Sequence, residues 1–286
     1  MDWRTGRYAS GEDVHRWQHT GSNLLLDFHG DPARAELVIF SDGNHHMALR
    51  EVLGRFGRET SGLNEIFYAT TPPAPIVTLL EHGKLLLGNF VLSVAPHLFI
   101  GPPRVLDRLT ETGHMACHRP FVRNQGNVLL VKRGNPKKIA GVNDLERPGV
   151  TVFLSNPDTE TASHRSYRDT LTNLSGDPAF ESGLRIIYGQ RIHHREAPVA
   201  VATGRADAAV VFYHLALHFT RRFPGEFEMV PLGGTVEEPD PCEGNCIATT
   251  HVGLIGDGGP YGRTCLDYLG CEAVQTIYRH HGLIPL

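Results

Sequence analysis

Apolar residues along this chain fall into short blocks separated by polar turns, and the blocks alternate between two spacings. Leu37–Phe40 is a continuous apolar run of strand length. It is followed by Ser41-Asp-Gly-Asn44, then by Met47, Leu49, Val52, Leu53 and Phe56 at an approximately helical spacing. The pattern predicts a buried strand, a polar turn and a helix. Ser41, Asp42 and Asn44 are all good helix-capping types, and Gly43 permits a tight crossing from strand to helix. The same order of events recurs. Glu65–Ala69 predicts a strand, Thr70-Thr-Pro-Pro73 a turn, and Ile76, Val77, Leu79 and Leu80 the inner face of a helix ended by His82-Gly83. Val150–Leu154, the turn Ser155–Thr161 and a helix over Ala162–Leu174 make a third unit.

The rest of the chain continues the alternation. Strands are expected at Leu24–Phe28, Phe90–Val94, Asn127–Lys132, Leu184–Tyr188, Ala208–Phe212, Glu228–Leu232 and Cys246–Leu254. Helices are expected over Pro102–Thr112, Val142–Leu145 (short), Ala197–Thr203, Leu215–Phe219 and Tyr261–His281. Strands and helices in turn imply an α/β chain with mostly parallel sheets. In such sheets, ligands bind at the carboxyl ends of strands, where free N–H groups and helix dipoles favour an anion.

Composition narrows the function classes. The 286 residues suit one large domain or two lobes. A formal net charge of −4 without a basic run argues against a nucleic-acid partner. No apolar run reaches the ~18 residues of a membrane span. Met1–Gly21 lacks the apolar block of a secretory leader. The expected compartment is therefore the cytoplasm if Met1 is the native start, and extracytoplasmic if a leader has been removed. Five cysteines, an odd number, lean towards reduced thiols, and the Cys242–Cys246 spacing without a second pair is a weak metal or disulfide signal. There is no GxSxG, HExxH, phosphate-loop or GxGxxG fingerprint, so neither an enzyme nor a cofactor is expected. Histidine stands out, with 17 residues, several of them paired (45–46, 193–194, 280–281).

Four stretches carry a family resemblance: the turn at Ser41, the turn Ala69-Thr-Thr71, the segment from Lys132-Arg-Gly-Asn-Pro through Val150-Thr-Val-Phe-Leu-Ser-Asn-Pro-Asp158, and Gly204–Tyr213 with the terminal Asp267–Leu283. In this order and spacing they resemble the molybdate/tungstate-type periplasmic solute-binding proteins of the class II binding-protein fold. The resemblance implies two α/β lobes around a ligand cleft. Lobe one would span 1–123, with an N-terminal extension over 1–22, lobe two 124–227, and 228–286 would return to lobe one. It further implies a dehydrated oxyanion held by hydroxyls and main-chain N–H groups, hinge closure, and an ABC importer permease as partner, with no membrane span in this chain.

The expected ligand-binding residues are Ser41, Gly43, Asn44, His45, Thr70 and Thr71 in lobe one. In lobe two they are Asp158, Thr159, Thr161, His193, His194, Glu196 and Tyr213. Imidazole donates to oxyanions, binds divalent metals or stacks on organic ligands. Two further readings follow from that: a transition-metal or organic-anion binder using the histidines, and a cytoplasmic enzyme or sensor on the same scaffold.

Overall fold

The structure is a computed structural model that describes residues 28–71, 73–87, 90–158, 160–190 and 193–286. Of the expected edge strand Leu24–Phe28, only its last residue falls inside these limits, and Thr159 falls outside them. In chain order the elements are β1 (Phe28–His29), β2 (Leu37–Ser41), α1 (His46–Glu59), β3 (Ile66–Thr70), α2 (Pro73–His82), β4 (Leu85–Leu87), β5 (Phe90–Leu92), β6 (Leu98–Gly101), α3 (Pro103–Glu111) and β7 (Met115–Arg123). They continue with β8 (Asn127–Lys132), β9 (Val152–Leu154), α4 (Thr161–Ser175), α5 (Phe180–Gly183), β10 (Ile186–Tyr188), α6 (His193–Ala202), β11 (Ala208–Phe212), α7 (Tyr213–Arg222) and β12 (Phe227–Pro231). The chain closes with β13 (Thr249–Ile255), α8 (Gly259–Leu269), α9 (Glu272–His280) and β14 (Ile284–Pro285).

The chain divides into two compact units. Unit one holds the residues up to Val122 with Thr249–Tyr278 and Pro285–Leu286, and unit two holds Arg123–Ala248 with Arg279–Ile284. The boundary expected at residue 227 therefore lies at 248. The reason is β12, which pairs antiparallel with β8 from Phe227↔Lys132 to Pro231↔Val128 and so completes the second sheet before the chain leaves it.

Unit one is a sheet in the order β1-β3-β2-β6-β13-β7-β14. Its β3, β2 and β6 run parallel, whereas β1 is antiparallel to β3 and β13 to β6. Leu37, Ile39, Phe40, Phe99 and Ile100 are fully buried, as a strand covered on both faces requires. The α1 helix buries Met47, Ala48, Leu49, Val52, Leu53 and Phe56 along one side. Unit two has the order β10-β9-β11-β8-β12, with β10, β9 and β11 parallel and β8 and β12 antiparallel. Both sheets are thus mixed, with a parallel group of three strands that carries the helices. Helix α4 stops at Gly176, whose φ of 72° lets its N–H reach back to Thr172.

Two local expectations change. The terminal helix over Tyr261–His281 is two helices, because Gly270 ends α8 and α9 starts afresh at Glu272. The helices expected at Ala197 and Leu215 begin earlier, at His193 and Tyr213, the second directly behind the end of β11.

Candidate functional site

The three parallel strands of unit one end together. Ser41 lies opposite Thr70 in the β2–β3 register and opposite Ile100 in the β2–β6 register. Helices α1, α2 and α3 start just beyond these strand ends, at His46, Pro73 and Pro103, so three helix N-termini share one edge of the sheet. The main chain stitches the turns together: Asp42 N–H donates to Ile100 C=O (2.9 Å) and Thr71 N–H to Ser41 C=O (3.1 Å).

Polar side chains fill this edge. Ser41, Asp42, His45, Thr70 and Thr71 are all buried, Gly43 with them. The Ser41 hydroxyl donates to Asp42 C=O (3.0 Å) and lies 2.9 Å from His45 Nε2. With the hydroxyl proton so placed, Nε2–H is the donor to Ser41 Oγ, and in the neutral ring Nδ1 accepts from the Tyr278 hydroxyl at 2.8 Å. His45 thus spends both ring nitrogens on the fold. His46 Nδ1 lies 3.0 Å from Gly43 C=O, and Thr70 Oγ1 3.2 Å from His29 Nε2. The Asp42 carboxylate accepts from Asn44 N–H (3.1 Å), capping the short 3-10 turn Gly43–His45. Burial pushes its pKa up from 3.8 to about 7, against the smaller opposing effect of that cap. A cavity of about 150 Å³ in the same unit lies behind Tyr278, among Arg119, Phe121, Leu269, Val274 and Gln275.

Unit two repeats the plan. Strands β9, β10 and β11 run parallel, and α4, α6 and α7 start beyond their ends. Ser155, the first residue after β9, stands where Ser41 stands at the end of β2. It is fully buried, and its hydroxyl has no hydrogen-bond partner among the described residues. Its carbonyl takes a hydrogen bond from His164 Nδ1–H (3.0 Å). Asp158 and Thr161 are exposed, and the Thr161 hydroxyl donates to Pro157 C=O (3.2 Å). Glu160 accepts from His193 N–H (3.0 Å) at the start of α6, and Glu196 accepts from Gln190 N–H (2.9 Å). Burial, opposed by the bond from His193 and aided by the charge of Glu196, raises the Glu160 pKa to about 7.

His193 is an interior residue, 1% exposed, stacked on Phe153 and beside Tyr167. Its Nε2–H donates to Val210 C=O (2.8 Å), and burial lowers its pKa to about 4, so it is neutral near pH 7. His194 is also buried, and desolvation with the charge of Arg195 lowers its pKa well below the ordinary value. The Tyr213 hydroxyl donates to Val236 C=O (2.8 Å).

The structure thus gathers Ser41, Gly43, Asn44, His45, Thr70 and Thr71 on one edge of unit one. It sets His193, His194, Glu196 and Tyr213 at the helix starts of unit two. Sequence reasoning passed over Asp42, Glu160 and Ser155 as site residues. Ser155 had a usable signal, since it follows a buried strand and precedes a helix as Ser41 does. Among the described residues, no group of three His, Cys, Asp or Glu side chains is placed to hold a metal ion. All five cysteines are free thiols.

A sequence profile of the bacterial extracellular solute-binding proteins matches residues 37–284. The molybdate-binding protein ModA of Mycobacterium tuberculosis is 23% identical over 199 residues, 69% of each chain. Among solved structures, the substrate-binding domain of a putative molybdenum ABC transporter from Clostridium difficile aligns with a TM-score of 0.62 at 16% identity, covering 87% of this chain and 98% of that one. The sulfate-binding protein SubI of M. tuberculosis aligns at 0.65 and 15% identity, covering 87% and 86%. No helix among the described residues is long and apolar enough to cross a membrane. The profile match covers most of the chain, and these solved structures share its fold. The chain belongs to the bacterial extracellular solute-binding protein family.

Proposed function

We propose that this protein reversibly captures a small tetrahedral oxyanion of the molybdate or tungstate type, without catalysis, and delivers it to the permease of an ABC importer. The observation that carries the reading is the buried Ser155 hydroxyl, which lacks a partner among the described residues at the N-terminal side of α4. A buried hydroxyl left without a partner costs about 1–3 kcal/mol, and a bound oxyanion would accept its proton. In unit one, Ser41 stands at the matching strand end, with its hydroxyl donated to Asp42 C=O (3.0 Å). Further candidate ligand residues are Thr70, Thr71 and the N–H groups of Gly43 and Asn44 in unit one, and Thr161 and Tyr213 in unit two. Hydroxyls and helix starts bind a dehydrated anion without full counter-charges. The likeness to the molybdate-binding protein ModA and to the molybdenum-transporter domain supports the molybdate class, and the likeness to SubI makes sulfate the competing ligand.

The test is a thermal-shift and calorimetric titration with molybdate, tungstate, sulfate and phosphate. A ligand at 100 times its dissociation constant stabilises the folded state by about 2.7 kcal/mol. Molybdate or tungstate should bind at least tenfold more tightly than sulfate, and Ser155→Ala should weaken binding at least tenfold. Preference for sulfate would reassign the ligand, and silence from all four anions would overturn the reading.

A further inference from the structure

The ladder between β9 and β11 opens before either strand ends. Their parallel pairing covers only Val152↔Ala208 and Phe153↔Ala209, although β9 continues to Leu154 and β11 to Phe212. Ala208 N–H donates to Thr151 C=O (3.3 Å). Carried on in steps of two residues, that pattern would send Phe212 N–H to Ser155 C=O and Ser155 N–H to Val210 C=O. Side chains stand in these places instead. Ser155 C=O accepts from His164 Nδ1–H (3.0 Å), and Val210 C=O accepts from His193 Nε2–H (2.8 Å). Phe212 N–H donates to the Tyr167 hydroxyl oxygen. The two strands part into a fork whose main-chain groups are closed by His164, His193 and Tyr167.

Two protons in this fork remain unspent. His164 and His193 each commit an N–H to the main chain, and neutral His193 carries only a lone pair on Nδ1. The other ring nitrogen of His164 faces Glu181 at 3.5 Å. The Ser155 hydroxyl has no partner among the described residues. Tyr167 accepts from Phe212, and its own proton meets no acceptor among the described residues. Burial, and then the charge of Glu160, push the phenol pKa well above its ordinary 10.0, so Tyr167 keeps that proton near neutral pH. Both residues are interior, Ser155 fully buried and Tyr167 1% exposed.

We propose that Tyr167 is a ligand residue of the oxyanion site, its phenol proton and the Ser155 hydroxyl proton grasping one anion from the two sides of the fork. This rests on the oxyanion reading and adds to it a donor from the body of α4 that the strand-end turns do not contain. The β9–β11 register, carried on, sets Ser155 level with Val211, next to the Phe212 N–H that Tyr167 caps. Neighbouring strands lie about 4.8 Å apart. Two O–H···O bonds of about 2.7 Å each to one tetrahedral anion reach across a gap of that order. Neither donor carries a charge, so the anion is held by direction and dehydration.

The experiment is calorimetric titration of the native full chain and of Tyr167→Phe with molybdate, tungstate, sulfate and phosphate. Phenylalanine keeps a ring against His193 and Phe212 and removes only the hydroxyl. We expect the variant to bind the anion that the native chain binds tightest at least tenfold more weakly. If the hydroxyl serves only to cap Phe212 N–H, the variant melts at a lower temperature with its affinity unchanged, and that result overturns the proposal. Proton NMR of the native chain supplies a second readout, which serves if Tyr167→Phe does not fold. The Tyr167 hydroxyl proton, recognised by its contact with Phe212 N–H, should move downfield when the anion binds, and a resonance that stays in place during binding also overturns the proposal. Failure of the oxyanion reading looks different: the native chain then binds none of the four anions, and both proposals fall together.

Discussion

Replacing Asp42 with asparagine isolates the electrostatic cost built into the unit-one turn. The side chain is buried, and burial raises its pKa from 3.8 to about 7. A carboxyl whose folded-state pKa exceeds its unfolded value is held more tightly as the neutral acid. Its stabilising contribution is complete below about pH 4 and is lost as pH rises through about 7. A shift of about three units at 1.36 kcal/mol each amounts to about 4 kcal/mol, of which about 2.5 falls between pH 5 and pH 8. His45 offers limited relief, since its Nε2 is 3.8 Å from Asp42 Oδ1 and already bonded to Ser41. Asparagine retains an oxygen for the Asn44 N–H and carries no charge at any pH, so the cap survives while the titration disappears. Urea unfolding of both proteins at pH 5 and pH 8 is the assay. The difference in unfolding free energy should move by about 2.5 kcal/mol in favour of Asp42→Asn as pH rises. A difference that stays constant within about 0.5 kcal/mol would refute burial as the cause of the shift. The same variant bears on ligand capture. If the oxyanion sits at this turn, native affinity should fall between pH 6 and pH 8 as Asp42 ionises, and that of Asp42→Asn should not.

His193 has the opposite sign: its folded-state pKa of about 4 lies below the ordinary 6.5, so its contribution is present above pH 6.5 and is lost as pH falls towards 4. Urea unfolding at pH 7 and pH 4.5 should show the native chain losing about 2.5 kcal/mol more than His193→Asn over that interval, and equal losses would contradict the assignment. Gly126→Ala should destabilise by more than about 1 kcal/mol, because φ is +77° and the new Cβ would stand 2.8–3.0 Å from the Asn245 amide. That amide bridges the backbone of Asn127, accepting from its N–H (2.8 Å) and donating to its carbonyl (3.0 Å). A variant with an unchanged urea midpoint would show that this bridge shifts freely.

Elements that announce themselves locally were legible in the chain. Asn127–Lys132 and Ala208–Phe212 are apolar runs bounded by turn residues, and both form strands with those limits. Strand β7 carries no such mark: its Met-Ala-Cys-His-Arg-Pro segment is exposed at four of six positions and neither alternates nor runs apolar. It is a strand because a sheet neighbour pairs with it, and that partner, β13, lies more than a hundred residues away. Strand β6, Leu98–Gly101, is only four residues long and follows Ala95-Pro96, so its signal was shorter than the length at which a run stands out. The second unit's extent followed the same rule, since only cross-strand pairing with β8 assigns β12 to it.

The candidate site divides along the same line. Cap-type residues after buried strands place Ser41, Thr70 and Thr71 at strand ends from sequence alone, because strand, turn and helix lie within about ten residues of one another. What those residues do there depends on distant partners. The pairing of His45 with Tyr278 spans 233 positions, and it ties the turn before α1 to α9. His193 and Tyr213 follow suit, each spending a polar atom on the carbonyl of a residue outside its own turn. Burial then decides protonation. Asp42 and Glu160, which would repel an anion as carboxylates, both have pKa values raised to about 7. Composition counts each as a full negative charge, whereas burial halves that charge near neutral pH. An acidic residue in a turn is therefore no argument against anion capture until its burial is known, and the pH dependence of oxyanion binding by Asp42→Asn measures how much of that charge remains.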